Sequence, residues 1–463
     1  MKLAVLGAGP GGYVAALKAA RLGAQVTVIE NAEVGGVCLN WGCIPTKTIV
    51  TSCELLSRAR EMDKFGIELS GTVTPNLARI MDRKNKVVGI QVKGIRGLFK
   101  SWGVTLKTGR GVLTSAGAIE VTAQDGSRET VSADRIIIAT GSRPAQIPAF
   151  PFDRRNILSS TDALELTEIP KSMLIIGAGV IGSEFACIFS ALGTEVTMVE
   201  MLGRVVATED EEVSDLLEHE LKKKNIRVIT GTGVEKIDRR DDGVHAFLPG
   251  GRELVVEKVL VSIGRAFNSD ALGLESAGVS RGSRGEITVN ARMETNVPGI
   301  YAVGDVTGVN LLAHIASAGG VVAARNAHGG DAKIDYRVVP ACIFTSPEIA
   351  SVGLREHQAK EQGLAYRIGR IQYRALGRSH VMGEITGFAK IIADASTDRI
   401  LGGHIVGAHA SDLIHELAFA MQTGRTAREV ADTIHAHPTL SEVIREAAED
   451  VHGEAVHVPK PSA

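Results

Sequence analysis

The chain has 463 residues, 44% of them hydrophobic and 22% charged, which leaves room for about three domains with separate cores. A net charge of −2 gives no electrostatic footprint for nucleic acid or an anionic membrane. Five cysteines do not make a secreted disulfide framework, and the most apolar stretch, 173–192, is broken by three glycines and Glu184 and does not read as a membrane span.

Residues 2–6 form an apolar run suited to a buried parallel strand, starting so near Met1 that we expect no signal or transit peptide and a cytoplasmic location. Gly7-Ala-Gly9-Pro-Gly-Gly12 follows, then an Ala-rich helical pattern to Ala20, a break at Gly23, and a strand over 26–29 ending on Glu30. This is a G-x-G-x-x-G in a complete βαβ setting, with an acid 18 positions beyond the last glycine. The glycines let the backbone approach a pyrophosphate, the helix N-terminus favours its charge, and Glu30 suits ribose hydroxyls.

Next comes Gly35-Gly36-Val-Cys38-Leu-Asn-Trp-Gly-Cys43-Ile-Pro-Thr-Lys47. Five steps along a straight helix advance about 7.5 Å, beyond the usual Cα separation of a disulfide, so a Cys38–Cys43 pair requires a bend. Gly35, Gly36 and Gly42 supply that freedom, and Pro45 suits an early helical turn. Lys47, one turn beyond Cys43, favours a thiolate. The stretch reads as a redox dithiol; two inert, buried thiols are the plainer reading, and the spacing does not suit a structural metal.

Residues 51–99 read as helix and connecting loop, 104–121 as short strands around Gly109-Arg-Gly111, and 135–139 as a buried strand leading into Thr140-Gly141-Ser142. Pro144, Pro148 and Pro151 mark a domain crossover. The nucleotide pattern then recurs as Gly177-Ala-Gly179-Val180-Ile181-Gly182 with a strand ending on Glu200, every landmark displaced by 170 residues. Such a duplication predicts two bound nucleotides. Another buried strand, 259–263, ends on Gly264-Arg265, and 299–305 delivers Asp305 at a strand's C-terminal edge, where ligands gather in open α/β sheets. Read alone, Asp305 is more readily a turn or helix-cap residue.

From about 342 the pattern changes to alternating strands, then a helix carrying Ile414, Leu417, Ala418 and Met421 on one face and stopped by Gly424. A second helix opens with the capping box Thr426–Glu429. His435-Ala-His437-Pro-Thr-Leu-Ser-Glu442 follows; a histidine oriented by a carboxylate can take a thiol proton near neutral pH. Thr439–Glu442 also reads as a capping box for the last helix, and His435 and His437 as a pair of loop histidines or a weak metal site.

Together the dithiol and histidine stretches make the chain resemble the flavin-dependent pyridine nucleotide–disulfide oxidoreductases over 2–449, and within them the members that oxidise dihydrolipoamide. The resemblance implies an α/β fold of two Rossmann-like dinucleotide-binding domains from duplicated βαβ units, plus a C-terminal α+β dimerisation domain. It implies FAD on segments 1–147 and 273–341, NAD on 148–272, and a homodimer interface on 342–463. FAD would lie against Gly7, Gly9, Gly12, Glu30, Gly36, Lys47, Gly111, Thr140, Gly141, Ser142, Asp305 and the Leu311-Leu312-Ala313-His314 segment. NAD would lie against Gly177, Gly179, Val180, Ile181, Gly182, Glu200, Val234 and Gly264, with Glu184 matching the acid that pairs with Lys47. The dithiol is then the pair that cycles, Cys38 attacked by substrate and Cys43 facing the flavin. His437, oriented by Glu442, is the base that completes the other protomer's site.

The resemblance implies no metal, nucleic acid or membrane. No lipoyl domain precedes the first strand, so the dithiol is expected on a separate acyltransferase or carrier protein. Departures from the family pattern are Ile315 and Gly319 where Lys and Glu are common, Ala266-Phe267 after Gly264-Arg265, and Trp41 where a smaller residue is common. Glu200 favours NAD by repelling a 2′-phosphate; Arg204 nearby leaves NADP open.

Overall fold

The structure, a computed structural model, describes residues 1–459; the last four positions of the expected 342–463 segment lie outside the described residues. The chain divides into two compact units, one of residues 1–148, 159–168 and 263–335, the other of 149–158, 169–262 and 336 onward.

The first unit is built on a five-stranded parallel sheet in the order Ile300–Ala302, Arg135–Ile138, Lys2–Leu6, Gln25–Glu30, Thr105–Thr108. Ile136, Ile137 and Ile138 are wholly buried, as expected of parallel strands covered on both faces, which read as unbroken apolar runs. Helices Pro10–Arg21 and Ala313–Ala327 pack on this unit, where a Cβ on Gly320 would run into the backbone carbonyl of Gly11. A three-stranded antiparallel sheet, Arg110–Ser115, Ala118–Thr122 and Arg128–Ser132, is inserted before the fourth strand of the chain's parallel set. Residues 51–99 are indeed mostly helical, within Cys43–Arg60 and Leu77–Ser101.

The second unit repeats the plan. Its parallel sheet runs Ile157–Leu158, Lys258–Val261, Ser172–Ile176, Glu195–Val199, Arg227–Ile229; four strands match the first unit's order, while the edge strand Ile157–Leu158 comes first in the chain and Ile300–Ala302 last. An antiparallel insertion, Lys236–Arg240, Gly243–Leu248 and Arg252–Val256, falls at the same place in the chain. The expected strand over 259–263 stops at Val261, because Ser262 turns to bond Ile176 and Gly177 carbonyls through its hydroxyl.

The rest of this unit is a five-stranded antiparallel sheet with Ile349–Gly353, Ile400–Val406 and Phe388–Asp394 inside it, covered by helices Ala410–Gln422 and Glu442–Asp450. Gly424 ends the first of these regions at φ +68°, and Thr426 and Glu429 exchange both capping bonds. The last helix departs from expectation. The Glu442 carboxylate accepts the Thr439 amide at 3.0 Å, but the Thr439 hydroxyl bonds Ala436 and Ser441 instead of completing a box.

Within the apolar strand Phe388–Asp394, Lys390 is 0% exposed. Its ammonium reaches Asp210 at 3.0 Å and Glu212 at 2.8 Å, at the start of helix Glu211–Lys223, and Glu356 at 2.5 Å. One buried cation thus ties the nucleotide-binding half of the unit to its antiparallel sheet. Removing one partner of a buried ion cluster leaves charge uncompensated. Lys390→Met is therefore expected to lower stability by about 3–5 kcal/mol, measured by urea unfolding followed by far-UV circular dichroism. A change within about 0.5 kcal/mol, typical of an uninvolved surface site, would contradict this.

Candidate active site

The two nucleotide turns have the same construction. After strand Lys2–Leu6, Gly7 turns at φ +100° and donates its amide to Ile29 at 2.8 Å; after Ser172–Ile176, Gly177 turns at φ +97° and donates to Val199 at 2.8 Å. In both helices the third glycine is packed so tightly that a Cβ would strike the first glycine's carbonyl oxygen. Gly9 and Gly179 cap helices Pro10–Arg21 and Val180–Leu192 without a side-chain bond. A Cβ on Gly179 would meet nothing, so those first-turn amides face open space suited to a pyrophosphate.

The two acids also match. Glu30 Oε2 accepts Ala8 N at 2.7 Å and Oε1 accepts Ala32 N at 2.8 Å; Glu200 does the same with Ala178 at 2.7 Å and Leu202 at 2.8 Å. Each carboxylate staples strand end to turn, and each oxygen keeps a lone pair for a ribose hydroxyl. Burial raises the Glu30 pKa against the pull of those amides. Arg204 is tied to Glu211 at 2.6 Å.

The cysteines sit on either side of a broken helix. Gly36–Trp41 is one short helix and Cys43–Arg60 the next, with Gly42 between them at φ −146°, ψ −110°. Cys38 therefore lies in a short helix of its own, and the required bend falls at Gly42. Asn40 holds that turn by donating to the Val34 and Gly36 carbonyls, and Gly35 donates to Ala8 O at 2.7 Å, fixing the segment to the first nucleotide turn. Cys38 and Cys43 are thiols in the structure, not a disulfide, and their side chains interact. The Cys43 contact, then burial, push the Cys38 thiol far up, with Lys47 pulling the other way.

The first unit also gathers Thr140, Gly141, Ser142 and Asp305. Ser142 donates to Asp305 Oδ2 at 2.5 Å, Gly141 turns at φ +70°, and Thr140 donates to Asn268 O at 2.7 Å. Asp305 lies on the short turn Gly304–Thr307 just past its strand. Arg265, which sequence reasoning noted only as a strand end, donates to Ser142 Oγ at 2.6 Å and lies 3.8 Å from Asp305. Burial lowers its pKa, while the charges of Asp305 and Cys43 raise it.

Gly111 has a packing reason of its own, since a Cβ there would meet Leu6 at 2.5 Å. Leu311 is exposed, Leu312 precedes helix Ala313–Ala327, and Ala313 and His314 form its first turn. Of the departures, Ile315 is buried and Gly319 faces Met293.

In the second unit, Val234 packs against the core of the nucleotide-binding half. In the first, Gly264 sits at φ +115° with open space where a Cβ would point. Glu184, 3% exposed on helix Val180–Leu192, accepts the Phe344 amide at 2.9 Å. His437 Nδ1 meets Glu442 Oε1 at 2.9 Å, with the histidine 74% exposed. Burial would raise the Glu442 pKa, but the bonds from His437 and the Thr439 amide hold it low. Among the described residues no set of three or more His, Cys, Asp or Glu side chains is arranged to hold a metal, and no helix is long and apolar enough to cross a membrane.

Comparison with known proteins gives this geometry a context. Residues 1–327 match the family model described as pyridine nucleotide-disulphide oxidoreductase, and 339–448 match that family's dimerisation domain. The dihydrolipoyl dehydrogenase of Chlamydia muridarum is 42% identical over 98% of this chain and 97% of its own. Among solved structures, LpdA from Mycobacterium tuberculosis superposes with a TM-score of 0.92 at 33% identity, covering 97% of this chain and 99% of that one. The HOCl-induced flavoprotein disulfide reductase RclA from Escherichia coli gives 0.86 at 26% identity, covering 97% and 99%. FAD and NAD(H) are the cofactors of this family, and the paired glycine turns, stapling acids and open helix ends fit two such dinucleotides. The chain belongs to the pyridine nucleotide-disulphide oxidoreductase family.

Proposed function

We propose that this chain is an NAD-dependent dihydrolipoyl dehydrogenase, oxidising dihydrolipoamide on a separate lipoyl-bearing protein. The observation that carries the reading is the contact between Cys38 and Cys43 on the first nucleotide turn, with Lys47 and Arg265 supplying positive charge. The residues assigned to chemistry are Cys38, Cys43, Lys47, Glu184, His437 and Glu442. FAD is assigned to segments 1–147 and 273–341, NAD to 148–272, and the homodimer interface to 342–463, with each cofactor on the residues named from the resemblance.

The cycle begins with Cys38 and Cys43 joined as a disulfide. His437, its Nδ1 held by Glu442, takes a proton on Nε2 from a substrate thiol. The substrate thiolate attacks Cys38 Sγ; the enzyme S–S bond breaks, a mixed disulfide forms, and Cys43 leaves as a thiolate. Lys47 and Arg265 stabilise that anion. The second substrate sulfur attacks the mixed disulfide, its proton passing to Cys38 as that sulfur leaves as a thiol, and the lipoamide ring closes. The substrate has lost two electrons and two protons, and the enzyme pair has gained the electrons. FAD, when bound, supplies a two-electron acceptor for the reduced pair and a hydride donor for NAD⁺. In the homodimer, His437 of one protomer serves the dithiol of its partner. The exchange takes place in the cytoplasm, with the lipoyl group presented by an acyltransferase or glycine-cleavage-type carrier, the chain acting as their shared dehydrogenase component.

The alternative, a related reductase of another disulfide, is kept by the likeness to RclA; steady-state rates with dihydrolipoamide and with glutathione separate the two. Purified holoenzyme should reduce NAD⁺ with dihydrolipoamide and show negligible turnover with glutathione; the reverse order would refute the reading. His437→Gln should lower kcat/KM for dihydrolipoamide by about 10²–10⁴-fold, the span of a lost general base, with FAD content unchanged by absorbance; full activity would remove His437 from the mechanism. Glu200 should set cofactor choice, because a 2′-phosphate beside its carboxylate costs several kcal/mol. NAD⁺ should therefore be preferred to NADP⁺ by on the order of 100-fold in kcat/KM, and Glu200→Ala should narrow that ratio. Equal use of both by the unaltered protein would contradict the assignment.

A further inference from the structure

The histidine loop contains a second histidine with quite different surroundings. His435 is 5% exposed in its side chain, against 74% for His437 two residues on. Its Nδ1 lies 2.8 Å from Thr433 O and its Nε2 2.8 Å from Glu416 Oε1. A carbonyl and an ionised carboxylate only accept, so this arrangement is fully satisfied by the imidazolium, with a proton on each ring nitrogen. Glu416 belongs to helix Ala410–Gln422, so this bond fastens the upstream half of the loop to a rigid element. The downstream half is fastened separately, by Thr439 to Ala436 O at 2.7 Å and by Glu442 to the Thr439 amide. His437 stands between the two anchors.

We infer that His435 and Glu416 form a positioning pair, a charged clamp that holds the loop so that His437 is aimed at a substrate thiol. Neither residue meets the substrate. The inference rests on the proposed role of His437 as base. The charged groups facing His435 are Glu416 and, from the last helix, Arg445, which Glu449 holds at 2.6 Å.

The Glu416 bond raises the His435 pKa, against burial, and the Thr433 carbonyl adds to the rise, against Arg445. A group whose folded pKa is raised keeps its interaction at low pH and loses it as pH climbs through the raised value. Above that point one ring nitrogen presents a lone pair to an oxygen, and the clamp opens. Dihydrolipoamide oxidation should then decline on the alkaline side, whereas NADH oxidation by ferricyanide, which needs no thiol base, should not.

The test compares wild-type holoenzyme with Glu416→Gln, following both reactions against pH. Glu416→Gln should lower kcat/KM for dihydrolipoamide by on the order of tenfold, as small misplacements of catalytic groups do. It should also move the alkaline limb down toward the ordinary histidine range near ~6.5, with ferricyanide reduction unaltered. An unchanged profile, or a fall by one factor at every pH with the limb in place, overturns the pair. His435→Gln, which cannot titrate, must abolish that limb, so a limb that persists overturns it even if Glu416→Gln fails to fold. Diethylpyrocarbonate labelling, read by peptide mass, gives an answer without turnover. His435 should be protected in wild type and labelled in Glu416→Gln; equal labelling overturns the clamp. A wild type inactive on dihydrolipoamide but with His435 protected as described would refute the functional reading and leave the clamp standing.

Discussion

The sulfur contact across Gly42 is the constraint that the dithiol site is built to satisfy. On a continuous helix, residues five apart are rotated about 140° from one another and stand about 7.5 Å apart along the axis. Cys38 and Cys43 would then face opposite sides. The break at Gly42 removes both obstacles by ending one helix and starting another, each carrying one cysteine. That break holds its geometry only because Asn40 ties the short helix to the backbone before it and Gly35 bonds the first nucleotide turn. The same anchorage delivers the sulfurs to the end of the sheet where a dinucleotide belongs.

Around this pair the chain uses one device twice. A carboxylate at the end of the second strand bonds the amides of the turn before it and the loop after it, at Glu30 and again at Glu200. The order of four strands, the antiparallel insertion and the glycine contacts repeat with it. The copies differ where their tasks differ. In the first copy Gly36 of the dithiol helix lies against Gly9, whereas a Cβ on the corresponding Gly179 would meet nothing. Duplication therefore accounts for two nucleotide cradles, and local divergence for one redox pair.

Features governed by neighbours in sequence were legible: the glycine turns and their strands, the stop at Gly424 and the capping box at Thr426 follow from backbone rules acting over a few residues. What escaped depends on contacts between distant segments. Arg265 reaches Ser142, and Ser142 reaches Asp305, across more than a hundred residues each. Lys390 sits in a run that reads as an alternating strand, and the three carboxylates around it come from elsewhere in the chain. Glu416 stands 19 residues before His435, too far for any local rule to signal the bond between them. At Thr439 the local rule misled, because the hydroxyl found a nearer carbonyl.

The most direct test of the central claim is a thiol count by peptide mass on the oxidised holoenzyme, before and after dihydrolipoamide is added without air or NAD⁺. The account predicts one disulfide linking Cys38 and Cys43 at the start, and two new alkylatable thiols at those positions once substrate is present. Finding both cysteines already alkylatable before substrate, or still linked after it, would contradict the account.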